Sequence, residues 1–179
     1  MRALPFLLAV ALVSCGGEEG GTSGAGGTEP PELAGITAAH NQVRAGVGVA
    51  PLVWDDALAR TAAAWVARCV DEAPPAGLVD HNPDRSDGHS TYVGENIYAS
   101  TGDATGPAAV AAWAGEAVNY HLDSNTCDAG AVCGHYTQVV WRDTERVGCA
   151  KHVCSALAYP STIVCDYGPG GNIEGQRPY

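Results

Sequence analysis

Basic residues are scarce in this sequence of 179 residues. Nine lysines and arginines stand against 20 aspartates and glutamates, which gives a formal net charge of −11 at pH 7. A surface this acidic repels phosphate backbones and anionic lipid headgroups. The composition therefore predicts no nucleic-acid partner and no attraction to membranes by charge. It is typical of one globular domain with a flexible attachment.

A long hydrophobic run is also missing. The apolar stretch at residues 3–13 has eleven residues, too few to cross about 30 Å of hydrocarbon as a helix. Because Arg2 precedes it, the stretch is typical of a signal peptide. It leads into residues 12–15, LVSC, which resemble the bacterial lipobox, in which signal peptidase cuts before the cysteine and the thiol carries a diacylglycerol. We therefore predict a signal peptide at 1–14 and lipidation of Cys15; ordinary secretion with Cys15 discarded is the alternative.

The segment after this cysteine has few side chains that can form a core. Residues 16–30 contain seven glycines, and too little apolar surface to offset the entropy of ordering them. We predict a flexible tether over 15–31 and a folded domain over 32–179. The protein would then contact the membrane through its N-terminal lipid only, at the outer membrane or the cell surface. A domain of this size buries roughly two thirds of its unfolded surface.

The domain changes its hydrophobic pattern along the chain. Apolar residues at helical spacing predict helices over 33–45 and 55–69, and a third helix that begins after Gly106 and extends to Tyr120. Alternation over 137–142 and the β-rich run 162–167 predict strands. Helices grouped before strands favour an α+β domain over a parallel βαβ fold.

Glu116 and His135 are the first candidates for chemistry. Glu116 borders the apolar stripe of the third predicted helix, and His135 precedes the predicted strand, on the same face as Thr137, Val139 and Trp141. A solvated glutamate and a structural histidine are the ordinary alternatives. Two histidines and two carboxylates brought together would suit Zn²⁺ or Cu²⁺. No HExxH pair is present to indicate such a site locally.

Several motifs resemble those of the CAP superfamily, which includes cysteine-rich secretory proteins, venom allergens and plant pathogenesis-related group-one proteins. They are GHYTQVVW at 134–141, CDYGPGGNIEGQRPY at 165–179, AHNQVRAGVGVAPLVWDDALA at 39–59 and VGENIY at 93–98. The chain is most similar to the plant branch. The resemblance implies an α-β-α sandwich with a central, largely antiparallel sheet.

The resemblance also implies a cleft lined by two histidines and two glutamates. Carried over by motif, these are His81, Glu95, Glu116 and His135. His89, six residues before Glu95, is the alternative to His81. His40 matches a recurrent helix position, and we expect it to be structural.

Relatives of this kind can bind a divalent metal through the two histidines, which here would be His81 and His135. Some bind sterols or other lipids, and the resemblance implies no settled enzymatic activity. We therefore expect a monomeric, non-catalytic binding module for a lipid or sterol-like ligand or a protein partner, with weak zinc binding. The alternative is a zinc-dependent protease or esterase, with Glu95 and Glu116 as its catalytic residues.

Six cysteines remain after Cys15, an even set that suits an oxidising compartment. Cys127 and Cys133 flank a short polar loop and should pair. For the others, the resemblance implies Cys149–Cys165 and Cys69–Cys154. A zinc–thiolate site is the competing interpretation, but no pair of CxxC motifs is present. The last eleven residues, 169–179, resemble a segment released as a signalling peptide in plant relatives; we interpret them as a structural C-terminus.

Overall fold

The computed structural model describes residues 27–179, which form a mixed sheet between helices and a separate small hairpin. The helices are α1 (Ile36–Gly46), α2 (Asp56–Val66), α3 (Gly106–Gly115) and α4 (Gly134–Val139). The strands are β1 (Val53–Trp54), β2 (Gly94–Ser100), β3 (Tyr120–His121), β4 (Thr126–Cys127), β5 (Arg146–Val153) and β6 (Ser161–Gly168). Two short 3₁₀ turns lie at Pro31–Leu33 and Glu116–Asn119.

The main sheet has the order β1-β5-β6-β2. Strand β6 pairs antiparallel with both β5 and β2, and only the two-residue β1 pairs parallel, with β5. Strands β3 and β4 form the separate hairpin. The sheet is therefore mostly antiparallel, and β2 forms one of its edges.

Side-chain alternation along β6 divides the core between the two faces of the sheet. Ile163, Cys165 and Tyr167 belong to the main apolar cluster, with residues of α1, α3 and α4. Val164 faces the other way and packs with residues of α2. One helix on one face and three on the other make the α-β-α sandwich, which confirms the expected fold class.

The strand predicted over 137–142 is wrong, because α4 covers the first half of this segment and no strand follows in the second half. Tyr136, Thr137, Gln138 and Val139 are all buried. When a short helix is buried on nearly every side, its apolar residues show no helical period, and chance alternation then imitates a strand. His135 consequently lies in the first turn of a helix.

Three helix boundaries also differ from their predictions. The second helix ends at Val66 instead of residue 69. The third helix ends at Gly115, and Glu116 begins a 3₁₀ turn instead of lying within the helix. The first helix begins only at Ile36, because Gly35 has a φ of 85° in the left-handed region. Strand β2 precedes α3, so the strands are not all grouped at the end of the domain.

Contacts with the folded domain begin before residue 32. Glu29 accepts hydrogen bonds from the backbone N–H groups of Gly35 (2.8 Å) and Thr37 (2.6 Å), and thereby caps the start of α1. The end of the predicted tether is therefore part of the fold. The predicted signal peptide, Cys15 and residues 15–26 lie outside the described residues.

The described residues contain three disulfides, in the pairs expected from the sequence. Cys69–Cys154 connects the chain after α2 to the end of β5, Cys149–Cys165 joins β5 to β6, and Cys127–Cys133 closes a short loop. Among residues 27–179, no helix combines the length and apolar character needed to cross a bilayer.

The C-terminal residues pack against α4 and the turn that follows it. The Arg142 N–H donates to the carbonyl of Pro178 at 2.7 Å. The hydroxyls of Tyr136 and Tyr179 lie 2.9 Å apart, and Thr137 donates to Asn172 at 2.7 Å. These contacts hold the tail against the element that carries His135.

Candidate ligand-binding cleft

A cleft of about 700 Å³ lies along the free edge of β2. Most of its lining comes from the segment between α2 and β2, residues 70–83, which we call the 70–83 segment. The other lining residues are Trp65, Ile97, Ala99, Val132 and His135. Apolar side chains predominate, and the polar groups are Glu72, Asp80, His81 and His135.

His81 enters this cleft from the 70–83 segment and is held by Glu95 of β2. Its Nδ1 donates to Oε1 of Glu95 at 2.6 Å, and the Asn82 N–H donates to the same oxygen at 3.0 Å. The Glu95 side chain is fully buried, whereas the His81 side chain is 57% exposed. A buried carboxylate thus orients a ring that itself faces solvent.

His135 enters from the first turn of α4 and is held by Glu116. Nδ1 of His135 lies 2.5 Å from Oε1 of Glu116. Oε2 of Glu116 accepts the N–H groups of His135 and Tyr136 at 3.0 and 3.1 Å, so this carboxylate also caps the helix. The ring stacks on Trp113, with centroids 6.4 Å apart. Asn96 donates to the His135 carbonyl at 3.0 Å.

The fold thus arranges the four predicted residues as two histidine–glutamate pairs, with both rings at one cleft. Since each Nδ1 bonds to a carboxylate, each Nε2 is left as the ligand atom, which is how carboxylates orient metal-binding histidines. Within residues 27–179, no group of three or more His, Cys, Asp or Glu residues could hold a metal ion. His81 and His135 are the two histidines that line the cleft.

The other histidines lie elsewhere. His89 bonds through Nε2 to the Thr61 hydroxyl at 2.9 Å and does not line the cleft. His40 is fully buried, with Nδ1 on the Ile36 carbonyl and Nε2 on the Tyr167 hydroxyl. Burial lowers the pKa of His40 to about 4, so this ring is a neutral part of the core at pH 7.

Sequence reasoning missed Asp166, which lies on β6 directly opposite Glu95. It is fully buried. Burial, and after it the nearby Glu95 carboxylate, raise the pKa of Asp166 to about 9. One feature of the sequence could have indicated Asp166: it is the one carboxylate within the β-rich run 162–167. A charged group at a buried strand position needs a partner.

The domain is a disulfide-bonded α-β-α sandwich with two histidine–glutamate pairs at an edge cleft. Residues 37–167 match the model of the CAP family, described as the cysteine-rich secretory protein family. The chain belongs to this family.

Individual relatives agree with this assignment. Pathogenesis-related protein 1B of Nicotiana tabacum is 46% identical over 142 residues, which cover 79% of this chain and 77% of the tobacco protein. The structure of venom allergen-like protein 4 of Schistosoma mansoni matches with a TM-score of 0.66 at 27% identity, over 84% of this chain and 95% of that one. NaASP2, solved with Zn²⁺, matches with a TM-score of 0.61 at 25% identity, over 86% of this chain and 90% of that one.

Proposed function

We propose that this protein is an extracytoplasmic, lipid-anchored binding module whose cleft takes a small lipid or sterol-like ligand. The observation that carries the proposal is the edge cleft of about 700 Å³ with its largely apolar lining. Small-molecule sites have volumes of about 300–1,000 Å³ and combine apolar surface with a few placed polar groups.

The distribution of polar groups favours an amphiphile. Trp65, Leu78, Val79 and Ile97 supply apolar surface for the body of such a ligand. The two oriented imidazoles supply the polar groups, and each can accept a hydrogen bond at Nε2 from a ligand hydroxyl. A sterol-like molecule has this combination of a rigid apolar body and one hydroxyl.

A divalent cation on His81 and His135 is the second part of the proposal. Imidazole nitrogen suits Zn²⁺ and Cu²⁺, and two protein ligands leave coordination positions for water or for a ligand. The structural relative NaASP2 was solved with Zn²⁺. Because only two side chains would hold the ion, we expect weak binding that depends on the metal concentration.

The disulfides and the N-terminal sequence support the extracytoplasmic location in this proposal. Three disulfides in a small domain suit an oxidising compartment. The family is described as secretory. The signal-like residues 1–14 and the lipobox-like cysteine support membrane attachment through Cys15.

Zinc-dependent hydrolysis in the same cleft is the alternative. It is favoured by the glutamate beside each histidine, since a hydrolytic zinc site needs a base near its bound water. Both carboxylates, however, already accept hydrogen bonds from a histidine and from backbone N–H groups. Catalytic zinc sites also use three protein ligands as a rule. The binding module is therefore the better-supported function.

Glu95→Gln and Glu116→Gln separate the two functions. We expect both variants to keep their affinity for sterols and fatty acids, measured without metal, because the apolar surface supplies most of the binding free energy. Turnover of a broad ester and peptide library, with and without added Zn²⁺, is measured in parallel. Zinc-dependent turnover in the unsubstituted protein that Glu95→Gln abolishes would overturn the binding module.

A further inference from the structure

Three buried carboxylate oxygens behind His81 have no hydrogen-bond partner among the described residues. They are Oε2 of Glu95 and both side-chain oxygens of Asp166. A buried acceptor without a partner destabilises the fold, and a charged one destabilises it more. Three such atoms on two facing residues indicate that one hydrogen atom is shared between them.

The strand register places the two carboxyl groups together. Glu95 and Asp166 are direct partners in the antiparallel pairing of β2 and β6, so their side chains lie on the same face with Cβ atoms about 4.5–5.5 Å apart. Asp166 lies within hydrogen-bonding range of Glu95. Two ionised carboxylates at this separation repel each other, whereas one proton converts the repulsion into a hydrogen bond.

Among the described residues, no cation is hydrogen-bonded to Asp166, and the one whose charge lowers the pKa of Asp166 acts less strongly than burial and Glu95, which raise it. Arg85 is the nearby basic group, but its N–H groups donate to the Val93 and Asn82 carbonyls and to the Tyr92 hydroxyl. From β5, Asp166 is faced by Gly148, which has no side chain. Helix α2 comes so close there that a Cβ at this glycine would lie 2.2 Å from the backbone nitrogen of Ala59.

We propose that Asp166 is protonated at neutral pH and donates a hydrogen bond to Oε2 of Glu95, and that it thereby positions Glu95 to accept from Nδ1 of His81. The three side chains form a chain of hydrogen bonds from the buried sheet to the cleft. The chain keeps the imidazole proton on Nδ1 and directs the lone pair of Nε2 into the cleft. Asp166 is thus a positioning residue that acts on the ligand through Glu95 and His81. The inference rests on the proposed function in one respect only: the ligand that would bind Nε2 of His81 is the one proposed above.

A protonated Asp166 predicts a definite pH dependence of stability. In the unfolded chain this carboxyl loses its proton near its ordinary pKa of 3.8, whereas in the folded protein it keeps the proton up to about pH 9. The unfolded state therefore binds fewer protons between these values, so the contribution of Asp166 to stability falls as the pH rises from about 4 to 9. An asparagine donates the same hydrogen bond without having to hold a proton. In Asp166→Asn, the fall in stability that Asp166 causes between about pH 4 and 9 should therefore disappear.

The test compares the full chain with Asp166→Asn, with Asp166→Leu, which removes the donor, and with Asp123→Asn as a matched surface control. Asp123 is exposed. At pH 8 we expect Asp166→Asn to raise Tm above that of the unsubstituted protein by about 5 °C or more. The advantage should shrink towards pH 4. Asp123→Asn should leave Tm nearly unchanged.

A spectroscopic measurement separates positioning from a merely structural role. Nitrogen chemical shifts of the His81 ring report which nitrogen carries the proton. In the unsubstituted protein and in Asp166→Asn, we expect the proton on Nδ1 at pH 8. Above about pH 9 the unsubstituted protein alone should show a further change, because Asp166 then ionises beside Glu95. Asp166→Leu should show a mixture of both tautomers.

A Tm for Asp166→Asn at or below that of the unsubstituted protein throughout pH 5–9 would overturn the inference. So would His81 shifts in the unsubstituted protein that match those of Asp166→Asn across the alkaline range. If Asp166→Leu fails to fold, these two comparisons between the unsubstituted protein and Asp166→Asn still test the inference. Neither measurement needs a ligand, so failure of the unsubstituted protein to bind sterols or lipids would reject the proposed function and leave this inference standing.

Discussion

Arg44→Met should lower the free energy of unfolding by about 4 kcal/mol or more, because it leaves several buried carbonyls without donors. The Arg44 side chain is fully buried. Its guanidinium donates four hydrogen bonds, to the carbonyls of Ala50, Val139, Trp141 and Thr144, at 2.7–2.9 Å. These contacts fix the turn that joins α4 to β5. Burial lowers the pKa of Arg44 to about 10, so the guanidinium remains charged at pH 7.

Urea unfolding of the unsubstituted protein and of Arg44→Met at pH 7 measures this loss of stability. Arg60→Met is the matched control, because Arg60 lies on α2 with its side chain exposed. We expect that control to stay within about 0.5 kcal/mol of the unsubstituted protein. Arg44→Lys should give an intermediate loss, since one ammonium group cannot reach all of these carbonyls. A loss below about 1 kcal/mol for Arg44→Met would contradict the role of this side chain.

Removing the Cys69–Cys154 disulfide by serine substitution of both residues should lower the free energy of unfolding by roughly 4–5 kcal/mol in the chain-entropy model. The two cysteines are 85 positions apart in the sequence, so the bridge closes a long loop in the unfolded chain. It also anchors the start of the 70–83 segment. Cys154 packs there with Trp65 and Val79, which line the cleft. We therefore expect weaker ligand binding as well.

The short disulfide provides the comparison for this prediction. Cys127 and Cys133 are only 6 positions apart, so removing their bridge should cost roughly 2 kcal/mol in the same chain-entropy model. Denaturant unfolding and ligand titration of both double variants test the ranking. Equal losses for the two bridges, or unchanged ligand affinity without Cys69–Cys154, would contradict this account of the bridge.

Sequence motifs were a better guide to the candidate site residues than hydrophobic periodicity was to the secondary structure. Glu116 and His135 were first candidates because of their places in predicted elements, and the family resemblance added Glu95 and His81. The fold then arranged these residues as two pairs at one cleft. Periodicity predicted a strand over 137–142, where α4 ends. A short helix that is buried on most sides has no amphipathic pattern by which it could be recognised.

The partner of Glu95 could not be predicted from local sequence. Asp166 lies 71 positions after Glu95, and only the register of β2 against β6 makes them neighbours. Strand order and register depend on how the whole domain packs. The 70–83 segment was missed for a related reason, since it has no hydrophobic period and gains its role by lying against β2.

Two exposed valines give the most direct test of the proposed cleft. Val132 lines it and is 58% exposed, whereas Val118 is 81% exposed and lies outside it. Each is replaced by glutamate, and the metal-free protein is titrated with a fluorescent sterol. We predict saturable binding by the unsubstituted protein and by Val118→Glu. A charge in the apolar cleft should weaken the affinity of Val132→Glu about tenfold or more, which corresponds to about 1.4 kcal/mol. Equal affinities for the two variants, or no saturable binding by the unsubstituted protein, would contradict the proposed cleft.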